Sequence, residues 1–515
     1  MKQKVNTQVL IKNFGVIFVL LLSFWAIKPL FVSGFFPMHD DTQVARVFEM
    51  GKALKDGMLP VRWVPDLGYG YGYPIFNFYA PLAYYVGGVF VLLGFDALVA
   101  TKIMMVLGVV LSGIFMYLLA REFWGEIGGV LSGLFYVYAP YHALDIYVRG
   151  DVAEFWAYAF IPLMFWGFYK VFNSPRRSPS ATFEVGYLWK WVIVGSFGYA
   201  GVILSHNLTA MMVTPFLAIV TLFYCYIAYR NKKIFTIYYL LFTILLGLAL
   251  SAFYWLPALL EMKYTNVLSQ IGGGADFGDH FVCINQLWES NWGFGGSIPG
   301  CIDGVSFRIG KLHLLSVSLS LFTIFTSNRY FTKIEAKHSN DINHYSDKIA
   351  LIIFGILGFI VSIFFMLEIS RAIWEAIPAM AFFQYPWRFL LLASFFSSFL
   401  SGSIMIFLNK EPFKKYALYI EIILIVLLIN FNIKLFNPQT ILPKISSDYT
   451  NEYALKWTAS KISDEFLSPN FKKPKSEYEV AKKPLPFKET SIEKASNLVS
   501  LIGVLVLIIG IILFS

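Results

Sequence analysis

The stretch FFPMHDDTQVARVFEMGKALKDG, residues 35–57, follows an apolar run from about Phe14 to Gly34. It sets His39, Asp40 and Asp41 side by side where the chain leaves that run, then adds Arg46 and Glu49. A run of that length crosses a hydrocarbon slab as a helix. Comparable runs recur along 515 residues that are 57% hydrophobic and 14% charged, against about 25% charged in soluble domains. The composition therefore predicts an all-α polytopic membrane protein. A barrel would show short alternating strands instead. No small-residue cleavage site follows the first run, so it reads as a retained span and not as a signal peptide.

Working outward from this stretch, spans are expected near residues 14–34, 100–120, 126–142, 154–172, 188–206, 208–229, 234–256, 312–327, 349–367, 387–408, 416–433 and 498–515. Lys and Arg cluster at Lys2/Lys4/Lys12, Lys170/Arg176/Arg177, Arg230/Lys232/Lys233, Arg329/Lys333/Lys337 and Lys410/Lys414/Lys415. Short basic loops mark the cytoplasmic side. That places the N-terminus inside and His39–Asp41 outside, in a multi-pass cell-membrane protein. The apolar run at 81–95 is short, and an odd number of crossings is needed between 77 and 121. It is therefore expected to lie as an interfacial or re-entrant helix on the external face. The result is about 12 spans with both termini in the cytoplasm. The net charge of +9 belongs to the topogenic loops and gives no reason to expect nucleic acid.

Three external regions exceed what a turn needs: 35–99, 258–311 and 434–497. Loops of that size carry function more often than turns do. The chain divides into a transmembrane catalytic module at 1–433, a Lys- and Pro-rich external segment at 434–497, and a final span at 498–515. The Lys/Pro-rich segment is read as partly disordered or as a small appendage on the membrane surface. Cys225 falls within a span. Cys283 and Cys301 share one external loop, where a disulfide or two free thiols are both compatible with the spacing.

The spans carry almost no charge. A transporter or lipid flippase keeps paired ionisable groups at mid-membrane depth and shows related halves, and neither pattern is visible. The unusual charges gather instead at one interface. They are His39/Asp40/Asp41/Arg46/Glu49, His142/Asp145/Arg149/Asp151/Glu154, His206, Glu289, Asp303 and Arg388. Remote parts of the chain delivering acids and cations to one depth suit an enzyme acting on a lipid with a polar head. Blander roles compete at each position. Asp40 or Asp41 suits a cap for a helix starting near Thr42. Arg149 with Asp151 or Glu154 suits a structural ion pair. Trp387 and Arg388 suit interface anchors, and His206 suits a hydrogen-bonded helix end. A non-enzymatic assembly protein would use the same loops for docking.

An acid pair just after the first span, then external helices, then many spans: this order resembles the C-type (GT-C) membrane glycosyltransferases. Closer still, HDDTQVARVFEMGKALKDGMLPVRW, YPIFNFYAPLAYY, YVRGDVAEF, LSHNLTA, DGVSFRIGKLHLL and QYPWRFL resemble bacterial 6-pyruvoyl-tetrahydropterin-synthase-related polytopic membrane proteins. The resemblance covers roughly residues 10–410. Zinc histidines of the pterin enzyme are not seen, because the seven His are scattered. The resemblance implies a GT-C-like bundle and an inverting transfer from a polyprenyl-phosphate-linked sugar to a glycan, lipid or protein acceptor, on the extracytoplasmic face.

A sugar phosphate already carries a stable leaving anion. Its transfer needs one general base for the incoming hydroxyl and cations for the phosphate. Asp40 is the expected base, with Asp41 positioning the acceptor or replacing it. Arg149 and Arg388 are the expected phosphate ligands, since guanidinium forks onto phosphate oxygens. Arg46 is placed to point back to the same site, Glu154 to orient Arg149, and His142 and His206 to line the substrate. Asp40, Asp41 and Glu154 would permit a divalent cation such as Mg²⁺ or Mn²⁺.

Overall fold

The computed structural model describes residues 14–174, 181–272, 275–334, 339–409 and 413–514. The expected basic residues Lys2, Lys4, Lys12, Arg176, Arg177, Lys337 and Lys410 lie outside them, and the side chains of Arg329 and Lys333 are likewise outside. The described residues are helical. Their only extended pairings are isolated bridges at Phe35–Leu442, Val64–Tyr73 and Val282–Leu367.

Nine of the described helices are long and apolar enough to cross a membrane, or ten if the bent pair Ile234–Leu250 and Ala252–Tyr264 forms one span. Two features connect this count with the expected twelve. The stretch Ala97–Arg149 has 53 residues, about 80 Å as one helix, far more than one crossing needs. It breaks at Gly125, which sits at φ 79°, ψ −179°, a conformation closed to other residues. Beyond it the chain doubles back, so that a Cβ on Gly113 would lie 2.6 Å from Val137. The Lys311–Ile334 helix has an apolar part, Lys311–Ile324, shorter than the other spans. The 81–95 run forms the helix Leu82–Leu92. At 11 residues it rises about 16 Å and cannot cross.

The chain forms two compact units. The first comprises Met1–Pro29, Val109–Val148 and Gly274–Gln439. Its centre is the Pro386–Leu408 stretch, most of which is buried. Phe399 O there accepts from Trp124 Nε1 at 2.9 Å and Ser132 Oγ at 3.2 Å. Serines at 316, 320, 397 and 401 return their hydroxyls to backbone carbonyls, whereas the buried Ser394 and Ser398 hydroxyls have no hydrogen-bond partner among the described residues.

The second unit comprises Leu30–Gly108, Arg149–Gly273 and Thr440–Ser515. Glycines let the Ala181–Ser205 helix pack closely on Val152–Phe172: a Cβ on Gly198 or Gly201 would strike Met164 or Phe160, and one on Gly167 would lie 2.3 Å from Gly195. Gln43–Lys55 packs on Leu82–Leu92 through Gly51, Gly87 and Gly88. The Lys/Pro-rich region is part of this unit. Leu442 pairs with Phe35 through two backbone hydrogen bonds, and Asn266 N donates to Leu467 O.

Candidate active site

The stretch YVRGD turns sharply. Arg149 closes a single turn of π-helix, Asp145–Arg149, a geometry that re-aims side chains. Gly150 follows at φ +65°, and a Cβ there would lie 2.1 Å from Met38 Sδ. Glycine alone lets the first loop come this close. Two hydrogen bonds then join HDD to RGD: Asp40 N donates to Arg149 O at 2.9 Å, and Gln43 Nε2 donates to Gly150 O at 2.8 Å.

Asp151 caps the Val152–Phe172 helix, its Oδ1 accepting from Glu154 N at 3.0 Å. Its other oxygen takes Arg149 Nη2 at 2.7 Å, while Arg149 Nη1 reaches Glu154 Oε2 at 2.9 Å. All three side chains are buried. His206 caps the helix Asn207–Arg230, with Nδ1 accepting from Thr209 N at 3.4 Å. It also meets Thr209 Oγ1 at 2.8 Å. The structural roles weighed for Arg149 and His206 are therefore present. Asp151, Glu154 and His206 each bring one donor atom within 4.8 Å of the others. Of the expected cation set Asp40, Asp41 and Glu154, this triad contains Glu154. One imidazole and two carboxylates fit a divalent ion, and the imidazole favours Mn²⁺ or Zn²⁺ over Mg²⁺. Such an ion would share both carboxylates with Arg149.

Arg46 stands in a different environment. It is 4% exposed. Its Nη1 donates to Tyr84 OH at 3.3 Å and its Nη2 to Ser463 Oγ at 3.0 Å, while its guanidinium lies over the Tyr79 ring at 4.4 Å. Its Nε has no hydrogen-bond partner, and among the described residues it makes no ion pair. Tyr84 OH donates to Gln43 Oε1 at 2.6 Å, and Gln43 Nε2 donates to Gly150 O, which ties this group back to Gly150.

The two adjacent acids face different surroundings. Burial is the main cause that raises the Tyr79 and Tyr84 hydroxyls above their ordinary range, and the charges of Asp40 and Asp151 add to it. Asp40 is thus on the Arg46–Tyr79–Asp151 side. Asp41 is coupled instead to Lys444 and Tyr449, and burial pushes its carboxyl up to about 6 against the Lys444 charge. Thr42 holds the N-cap position of the following helix, with no capping bond from its own side chain. About two turns along, burial and the nearby Asp66 push Glu49 up to about 8.

Two expected residues belong to the first unit. His142 is buried, with Nδ1 at 3.0 Å from Val137 O. Arg388 is also buried, and its Nε and Nη1 have no hydrogen-bond partner. It lies over the Tyr385 ring at 5.6 Å, and that ring stacks on Trp387. The turn before it holds Gln384 at φ 62°. Ser297 Oγ, 2.9 Å from His280 Nδ1, accepts from Trp387 Nε1 at 3.1 Å. Cys283 and Cys301 are disulfide-bonded, and Asp303 beside them accepts from Gln286, Ser290 and Asn291.

Sequence reasoning missed Gln43, Tyr79, Tyr84 and Ser463. Tyr79 and Tyr84 lie in YAPLAYY, and in a chain that is 18% aromatic nothing marks two tyrosines as special. Ser463 is more than 400 positions from Arg46 and carries no local signal.

Residues 76–270 match the 6-pyruvoyl-tetrahydropterin synthase related domain, described as a membrane protein. The family expected from the motifs is the one whose model matches. The chain is 27% identical over 336 residues to an uncharacterized protein of Lactococcus lactis subsp. cremoris (strain MG1363), covering 63% of this chain and 50% of that relative. It is similar to the Archaeoglobus fulgidus oligosaccharyltransferase with 12% identity and a TM-score of 0.47, over 93% of this chain and 61% of that one. It is also similar to ArnT from Cupriavidus metallidurans, with 13% identity and a TM-score of 0.30, over 76% and 78%. The chain thus spans half the length of the curated relative that it matches.

Proposed function

We propose that this chain is a membrane glycosyltransferase that takes a sugar from a polyprenyl-phosphate donor on the extracytoplasmic face. The observation that carries this reading is the hydrogen-bonded joining of Asp40 to Arg149 in the unit that also holds a buried Arg46 with no direct ion pair among the described residues. A carboxylate for the acceptor proton and a guanidinium for a phosphate are the two groups the reaction needs.

In this reading Asp40 takes the proton from the acceptor hydroxyl as its oxygen attacks the anomeric carbon. The bond from that carbon to the phosphate oxygen breaks, and its electron pair leaves on the phosphate. Attack from the face opposite the phosphate inverts the centre. Arg46 receives the growing phosphate charge, and a fixed cation in a dry site does so with little reorganisation. Arg388 is the corresponding candidate in the first unit. Arg149 is committed to Asp151 and Glu154 and serves as a positioning residue for Asp40 through its carbonyl. A divalent ion held by Asp151, Glu154 and His206 would supply a further positive charge toward the donor phosphate. The Cys283–Cys301 bond supports an external location for its loop, because oxidising compartments preserve disulfides.

The test is transfer from a polyprenyl-phospho-sugar by full-length protein in nanodiscs. Asp40→Asn and Asp41→Asn proteins should insert and fold normally. Asp40→Asn should lose roughly 10²- to 10⁴-fold in rate, the contribution of one general base. Full activity in both single variants and the double variant would end the assignment.

A further inference from the structure

The proposed chemistry leaves one surface of the second unit unused. The Lys/Pro-rich segment runs along the tip of the first loop. Ala481 N donates to Tyr69 O at 2.9 Å and Leu485 N to Tyr71 O at 2.8 Å. Trp63 stacks on Phe487 with centroids 5.9 Å apart, and Tyr71 meets Phe471 edge-on at 5.3 Å. All four rings are half-exposed. Pro474, Pro484 and Pro486 hold the backbone extended, so that its side chains stand out from the surface.

Beside these rings Lys472, Lys475, Lys482, Lys483 and Lys488 are exposed, and among the described residues none makes an ion pair. Lys473 differs, reaching Asp464 at 2.6 Å, and Lys456 is spent on Glu452 and Ala481 O. The surface is continuous with the candidate site. Tyr69 N donates to Ser460 Oγ at 2.9 Å, Phe466 N to Tyr73 OH at 3.2 Å, and Ser463 between them holds Arg46.

We propose that this surface docks an anionic polysaccharide, which is the acceptor of the transferred sugar. The C–H faces of sugar rings pack on half-exposed aromatic rings, whose negative faces attract polarised C–H groups. Carboxylate or phosphate groups along the same polymer meet Lys482, Lys483 and Lys488. A bilayer anchor would turn its rings outward into the acyl boundary; here the rings are paired with one another and the cations stand beside them. Only the word acceptor rests on the glycosyltransferase reading.

The experiment measures binding of full-length protein, in nanodiscs of neutral lipid, to polygalacturonate and to neutral dextran of equal length. Polygalacturonate should bind and dextran should bind much more weakly. The K482E/K483E/K488E variant should lose about tenfold in affinity, the sum expected of three exposed charge pairs, with an unchanged melting temperature. Single Lys→Gln variants should lose less, in the same direction. The binding assay contains no sugar donor and reads no turnover, so that a failure of the catalytic assignment leaves this result standing. No binding of polygalacturonate, equal binding of dextran, or an unaffected triple variant would overturn the proposal. So would lysine-dependent binding to anionic vesicles with none to the polysaccharide, which would assign the surface to the membrane.

Discussion

Around Arg149 the guanidinium meets Asp151 at 2.7 Å and Glu154 at 2.9 Å, whereas around Arg46 it meets two hydroxyls and the face of a tyrosine. Both side chains are buried in the same unit. The first cation brings its own counter-charges, and removing it would strand two acids. The second cation is desolvated with no direct ion pair among the described residues; the Glu465 charge acts on it across Ser463, whose hydroxyl donates to Glu465 Oε1 at 3.2 Å, so its desolvation is only partly offset. Under the proposed function the ion-paired arginine holds architecture and the one without a direct ion pair takes the phosphate. From the sequence Arg149 and Arg388 are the expected phosphate ligands and Arg46 only points back to the site; the contacts show Arg149 ion-paired and Arg46 without a direct ion pair.

The comparison breaks first at Arg149. Arg149→Leu should destabilise the protein by about 3–5 kcal/mol, because two buried carboxylates lose their cation. Thermal denaturation in nanodiscs measures this. A stable Arg149→Leu protein would show that the pair is not architectural. Gly150→Ala comes next. The positive φ and the overlap with Met38 should cost about 1–3 kcal/mol in strain, and should loosen the Asp40–Arg149 junction enough to slow transfer along with it.

A smaller effect sharpens the comparison through pH. The Glu49 carboxyl is pushed up to about 8 from 4.5, mainly by burial. Below about 4.5 the group is protonated in both the folded and unfolded states, and its stabilising contribution is complete. That contribution falls as pH rises toward 8 and stays at its minimum above it. Glu49→Gln should therefore raise the melting temperature at pH 8 and leave it unchanged near pH 4. A constant difference across that range would refute the assignment.

Much of the fold is legible in the sequence. Apolar runs mark the spans, and the short 81–95 run predicts a helix that cannot cross. The reversal at Gly125 is harder to see, since LLAREFWGE offers one glycine in a helical pattern. The site is legible where its partners are close in sequence, as with Arg149, Asp151 and Glu154. It is not legible where the first loop meets residues 440–490. That segment looks too polar to pack, yet Phe466 and Leu467 are buried and Ser463 reaches Arg46. Asp40 and Asp41 are equivalent as letters. Only the fold shows that one faces Tyr79 and Tyr84 while the other faces Lys444.

The most direct test is the affinity of full-length protein for polyprenyl phosphate, compared between wild type and Arg46→Gln. Loss of one charge-assisted phosphate contact should weaken binding by about tenfold or more, with the melting temperature unchanged or raised. Equal affinity in the two proteins would contradict the view that this buried guanidinium waits for a phosphate.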